Sequence, residues 1–267
     1  MALRIALGNN KGGVGKSTLT VQLAAALAET DRRVLVVDMD PQANASRRLG
    51  HVYDPAAPVA GVTEAVMPGQ SEGCAAGALT TPAWPEPYTD LVDLLPARFD
   101  LENRISEAAT LGAVARLRHA LADADADHDV TLIDCPPSLG HLTQMGLAAA
   151  DVALCVVEPE YDAVEGATRF RDFVATAGAA LGNPELRMAG VIVNRVRANL
   201  GAHAYQLEGL PDLFGGLVWE PYLPERTAMK DAADAALPLR LVGTSSATEV
   251  ARLVSELAAR IVKEAGA

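Results

Sequence analysis

Short apolar runs alternate with longer amphipathic stretches along the 267 residues of this chain. The runs fall at Leu3–Leu7, Val34–Val37, Leu91–Leu95, Val130–Ile133, Val152–Val157 and Met188–Val193, with a shorter one near Leu217–Trp219. Largely unbroken runs of this length fit strands buried on both faces. Helical spacing of apolar residues between them predicts helices over Leu19–Ala28, Leu111–Leu121 and Ala163–Leu181. Such alternation predicts an α/β fold: a doubly wound, mostly parallel sheet flanked by helices, built as one domain over residues 1–267. A last helix, residues 247–264, puts Val250, Val254, Leu257 and Ile261 on one stripe, as a helix packed on the sheet requires. Residues 53–89 break the pattern. They are rich in Pro, Gly and Ala, and read as a surface excursion with one short helix around Val62–Val66.

Composition narrows the picture in three ways. Half the residues are apolar while aromatics make up 4%, so the core must be built from Val, Leu, Ile and Ala. Cys74, Cys135 and Cys155 are too scattered for a disulfide framework or a metal site. The first residues run straight into a strand, with no signal-peptide pattern and no apolar stretch long enough to span a bilayer, so a cytoplasmic protein is expected. Net charge is −12, which argues against a general nucleic-acid coat. That acidity is relieved locally: Arg187–Arg240 holds six basic and six acidic residues, against 16 and 28 elsewhere.

The chemistry concentrates in Lys11-Gly12-Gly13-Val14-Gly15-Lys16-Ser17-Thr18, between the first strand and the first helix. Glycines there let backbone N–H groups approach phosphate oxygens, and the helix N-terminus faces the same anion. Lys16 is expected at the β- and γ-phosphates and Ser17 on Mg²⁺. Asn10 replaces the usual first glycine, and Lys11 adds a second lysine at the loop entrance. Two further strands end in carboxylates, at Asp38-Met39-Asp40-Pro41-Gln42 and at Ile133-Asp134-Cys135-Pro136-Pro137. Asp134 fits the acidic residue that holds Mg²⁺, usually through a water.

These segments resemble the ParA/MinD group of ATPases, the deviant Walker A class of phosphate-loop NTPases. The likeness rests on K-G-G-V-G-K-S-T, D-M-D-P-Q-A-N and L-I-D-C-P-P-S, and on Val157–Gly166 further along; it runs from Leu3 to about Leu241. It implies that Lys11 reaches across a two-fold axis to the nucleotide of a second subunit. Asp40 would orient the attacking water, and Asp38 would support the Mg²⁺ shell. Asn194 would read the adenine edge, although a turn-forming asparagine fits equally well. Basic residues Arg195, Arg197, Arg226 and Lys230 would meet DNA, with Pro224–Ala232 aligning only loosely and Ala228 standing where arginine is typical.

The resemblance therefore implies an ATPase, slow without a partner, with ATP or ADP and Mg²⁺ as cofactors. It implies a homodimer with ATP sandwiched between subunits, non-specific binding of duplex DNA, association with the nucleoid, and a ParB-like or other adaptor that stimulates hydrolysis. The cargo would be a plasmid, a chromosome or a protein assembly. The chain looks like the short ParA type, without an extra DNA-reading domain. A membrane-surface switch of the MinD type keeps the ATPase, but the final helix lacks the basic, aromatic-rich face of an interfacial helix. An iron–sulfur protein or a small-molecule ligase on the same loop are further alternatives; neither finds a supporting constellation.

Overall fold

In the computed structural model, which describes residues 2–265, seven strands form one sheet in the order β3-β2-β4-β1-β5-β6-β7, every pair parallel. The strands are β1 Leu3–Gly8, β2 Val34–Asp38, β3 Val92–Leu95, β4 Val130–Asp134, β5 Val152–Val157, β6 Arg187–Val193 and β7 Val218–Trp219. The helices are α1 Lys16–Ala28, α2 Asn44–Arg48, α3 Val62–Ala65, α4 Tyr88–Leu91, α5 Arg116–Ala120, α6 His141–Ala149, α7 Tyr161–Ala177, α8 Gly201–Phe214, α9 Thr227–Asp234 and α10 Ser245–Ala265. β2, β4 and β5 are buried at every residue, as strands with helices on both faces must be.

β1 lies between β4 and β5, so consecutive strands are placed on opposite sides of it. A crevice opens at the carboxyl ends of strands where the winding reverses in this way. Parallel register fixes what lines it. Leu7 and Asp38 both pair with Asp134, bringing two carboxylates from neighbouring strands to the floor of the crevice.

α10 closes the structure. Its Val250, Val254, Leu257 and Ile261 are buried, and it packs against α1. A side-chain clamp fixes the connection: Gln22 of α1 donates to the Leu237 carbonyl (3.0 Å) and accepts from the Leu239 N–H (2.8 Å). The apolar stripe is consumed inside the protein, which leaves it unavailable to a membrane surface. Among the described residues no helix is long and apolar enough to cross a membrane.

The helix expected over Ala163–Leu181 ends at Ala177, and two further elements differ more from the sequence expectation. The helix expected over Leu111–Leu121 is confined to Arg116–Ala120, preceded by a single 3₁₀ turn at Ala113–Ala115. Gly112 adopts the left-handed conformation (φ 77°) and Leu111 is fully exposed, so the first part of the apolar pattern never joins the core. Residues 53–89 are only partly a surface excursion. The first stretch is exposed, but Val62, Ala65, Val66, Ala75, Trp84 and Tyr88 are buried in the core. Thr80 forms an antiparallel bridge to Leu94, covering the free edge of β3. Trp84 donates its Nε1–H to the Ala236 carbonyl (2.9 Å), tying the segment to residues far along the chain.

Candidate functional site

The loop leaving β1 is anchored before it begins to turn. Asn9 is buried and donates from Nδ2 to the carbonyls of Val156 (2.8 Å) and Ala163 (3.3 Å). Gly13 and Gly15 follow with φ of 88° and 86°, a region open to glycine at no steric cost. Gly15 is doubly required, since a Cβ there would stand 2.4 Å from Asn194 Nδ2. It also caps α1.

Two side chains from the end of β6 hold the outer wall of the loop. Asn194 donates from Nδ2 to the Val14 carbonyl (2.9 Å), and Arg195 donates to the Gly13 carbonyl (2.5 Å). Across a trans peptide the following N–H points opposite to the carbonyl. The N–H groups of Val14 and Gly15 are therefore turned away from Asn194 and Arg195. Arg195 is secured in turn by Glu158 (2.6 Å). Val14 itself is buried beneath the loop.

Gly12, Gly13, Gly15, Lys16, Ser17 and Thr18 border a cavity of about 250 Å³, together with Asp40, Gln42, Asn44, Arg48, Pro137 and Arg195. Lys16 is nearly buried and lies back along the loop, its Nζ 3.5 Å from the Lys11 carbonyl. Lys11 points elsewhere. Its Nζ leaves the cavity and meets Asp162 of α7 at 3.2 Å, an exposed pair.

The carboxylates divide by depth. Asp40 borders the cavity, with Oδ1 accepting the Gln42 N–H (2.9 Å) in a short turn. Asp38 is fully buried; it accepts from the Asp40 N–H (3.1 Å), the Ser46 N–H (2.8 Å) and the Ser46 hydroxyl (2.8 Å). Asp134 is also fully buried, and Thr20 donates to its Oδ1 at 3.3 Å. Its Oδ2 has no partner. A buried, unpaired carboxylate oxygen is a large penalty unless a cation or donor completes it. Burial, reinforced by the facing carboxylate Asp134, pushes Asp38 up to about 7. Burial pushes Asp134 up to about 6, against the nearby Ser17 hydroxyl and the Lys16 charge. The pair thus holds a proton that two exposed aspartates would have lost.

A second cavity, about 590 Å³, opens beside the first and shares Gly15, Thr18, Arg48 and Arg195 with it. Its wall also includes Asn194, Pro224, Met229, the exposed Arg226 and Lys230, and the acidic Glu225 and Asp234. Arg197 lies outside both cavities and is ion-paired with Glu225. Lys16, Ser17 and Asp40 thus border one cavity, with Asp38 and Asp134 fully buried and lining neither cavity, whereas the four basic residues spread from the loop wall to an outer rim.

Sequence reading passed over Ser46, Thr20, Glu158 and Arg48. Thr20 had a legible signal: it sits one helical turn beyond Lys16 and so faces the same side. The others reach the site only through tertiary closure.

Comparison with known proteins agrees with this geometry. Residues 2–188 match a family model described as an AAA domain. The chain is 37% identical to the chromosome-partitioning ATPase Soj of Thermus thermophilus, over 86% of this chain and 84% of that protein. It is 34% identical to the chromosome partitioning protein ParA of Myxococcus xanthus, over 91% of this chain and 82% of that one. Among solved structures it resembles cobyrinic acid a,c-diamide synthase from Mycobacterium smegmatis with bound ADP and magnesium. That match has 33% identity and a TM-score of 0.74, over 88% of this chain and 91% of the other.

Proposed function

The chain belongs to the ParA/Soj family of partition ATPases, and on that premise we propose that it is an ATP-driven dimerising switch that carries a cargo along DNA. The observation that carries the proposal is Lys11: it stands at the loop entrance yet turns out of its own cavity, toward Asp162. Supplied to a second subunit, its charge would meet the phosphoryl group in flight, as an arginine finger does.

In this reading the smaller cavity takes the phosphate chain and the larger one the nucleoside. Loop N–H groups and Lys16 bind the β- and γ-phosphates, and Thr18 borders both parts. Ser17 and Asp134 hold Mg²⁺, a fit supported by the unpartnered Asp134 Oδ2 beside Ser17. When bound, the ion neutralises charge on the β- and γ-phosphate oxygens. Asp40 orients the attacking water at the cavity wall. Asp38 acts behind the ion by fixing Ser46 and the turn at Asp40. Asn194 keeps the loop wall in shape through Val14, next to the nucleoside. A ParB-like adaptor on the cargo would then trigger hydrolysis and release.

The buried acid pair gives a pH dependence whose sign can be worked out. Both folded-state values lie above those of the unfolded chain, so the pair's contribution to the stability of the nucleotide-free protein is present in acid. It is fully present below the ordinary aspartate value of 3.8 and is lost as pH rises from there to 6 to 7. With a divalent cation bound beside it, Asp134 would favour its charged form and the buried pair would give up the shared proton. Binding of Mg²⁺-nucleotide should accordingly release protons near pH 6 to 7, and the release should fade at alkaline pH. Calorimetry in buffers of different ionisation enthalpy reads this directly; no buffer dependence at pH 6.5 would contradict the assignment of Asp134.

The reading as a whole is tested by DNA retention. The ATP form, and not the ADP form, should bind duplex DNA of any sequence, because pairing two weak basic rims multiplies their affinity. Affinity should fall steeply with salt as phosphate contacts release counterions. Arg226→Ala should weaken binding to all sequences alike and flatten the salt slope by about one counterion per lost contact. An ATP-bound dimer with no DNA retention at low salt would contradict the DNA part of the proposal. Retention on liposomes instead would favour the membrane-surface alternative.

A further inference from the structure

Arg48 closes α2 at the junction of the two cavities, and the site described so far gives it no task. It borders both, together with Gly15, Thr18 and Arg195. The last turn of a helix is a favourable place for a cation, but this guanidinium is only partly satisfied. One Nη donates to the Asn44 carbonyl at 2.8 Å, whereas Nε is buried with no partner. Arg195, its neighbour across the junction, differs: a carbonyl and a carboxylate occupy it. The acids that bear on Arg48, namely Asp134, Asp38 and Asp234, act only through space, and burial lowers its pKa.

A half-buried guanidinium with an orphaned N–H pays for desolvation without a return. Nε is closed off from both cavities and one Nη is held by Asn44. What Arg48 offers a ligand there is its charge and its remaining Nη, for which an anion is the natural partner. The position identifies which anion. Lys16, Ser17 and Asp40 border the smaller cavity alone, while Pro224 and Met229 border the larger alone. The junction between a phosphate chain and a nucleoside is occupied by the phosphate nearest the sugar.

We propose that Arg48 binds this sugar-proximal phosphate, and therefore grips ATP and ADP alike. This rests on the adenine-nucleotide reading given above. Such a grip is indifferent to hydrolysis and holds the product as firmly as the substrate.

Calorimetric titration with Mg²⁺-ATP and Mg²⁺-ADP tests the proposal on four proteins: the wild type, Arg48→Gln, Arg48→Lys and Arg47→Gln. Arg48→Gln should lose about tenfold in affinity for both nucleotides, the size expected for one charge-assisted contact, with their ratio unchanged. Arg48→Lys keeps the charge without the fork and should fall between. Arg47→Gln removes an exposed guanidinium that bonds only the Asn44 side chain, and should bind like the wild type. Wild-type affinity in both Arg48 variants overturns the proposal. So does a loss confined to ATP, which would put Arg48 on the terminal phosphate. A wild-type protein that binds neither nucleotide overturns the adenine-nucleotide reading itself, and this one with it.

Discussion

Replacing Lys16 with alanine should lower affinity for ATP and ADP by roughly 100-fold, the loss expected when charge-assisted contacts to two phosphates disappear. The variant should still fold. Lys16 bonds only a backbone carbonyl, at 3.5 Å, so its removal strands no contacting carboxylate. The indirect effect runs in a known direction, because the Lys16 charge holds Asp134 down. Without it the buried pair keeps its proton to higher pH, which weakens the cation site as well. Titration calorimetry at several pH values separates the two contributions: the part of the loss that shrinks as pH rises belongs to the acid pair, and the part that persists belongs to the phosphate contact. Unchanged affinity in a folded Lys16→Ala protein would move the nucleotide away from this loop.

Lys11 and Asp40 should fail in different ways. Asp40→Ala leaves the loop and Lys16 intact, so it should bind ATP while turnover falls by about 10²- to 10⁴-fold, the range for a group that handles the attacking water. Lys11→Ala should also bind nucleotide, since Lys11 turns away from its own cavity, yet lose about 10³-fold or more in turnover if its charge acts across the interface. The Lys11–Asp162 pair is exposed, so breaking it should barely change folding stability. Single-turnover hydrolysis beside equilibrium binding distinguishes the cases. A Lys11→Ala protein that hydrolyses ATP like the wild type would leave Lys11 as a surface lysine.

Much of this fold was legible because parallel strands buried on both faces read as unbroken apolar runs. β1, β2, β4, β5 and β6 all lie within a residue of their expected positions. The helix expected from Leu111 failed because its pattern included an exposed leucine and a left-handed Gly112, neither visible as periodicity. Burial of Trp84 and Tyr88 depends on partners distant in sequence, Ala236 and Glu29, which local composition cannot reveal. The site divides along the same line. Glycine-loop and strand-end carboxylates follow from spacing, because the positive-φ glycines and the carboxylates at strand ends are fixed by positions local in sequence. What closes the site from elsewhere does not follow from spacing. Ser46 beneath Asp38, Glu158 behind Arg195 and Arg48 between the cavities become functional candidates only once the sheet has brought their loops together. Arg195 illustrates the difference. As a basic residue in a charge-balanced segment it reads as a DNA contact, whereas in the structure it braces the loop at Gly13.

The central claim, that ATP joins two of these chains through Lys11, is tested most directly by the mass of the Asp40→Ala protein in solution. Light scattering with Mg²⁺-ATP should give twice the mass of the 27.8 kDa chain, and with ADP the single-chain value. Adding Lys11→Ala to the same protein should return it to a single chain with ATP still bound. A double variant that remains a dimer, or an Asp40→Ala protein that stays a monomer at saturating ATP, would contradict the account.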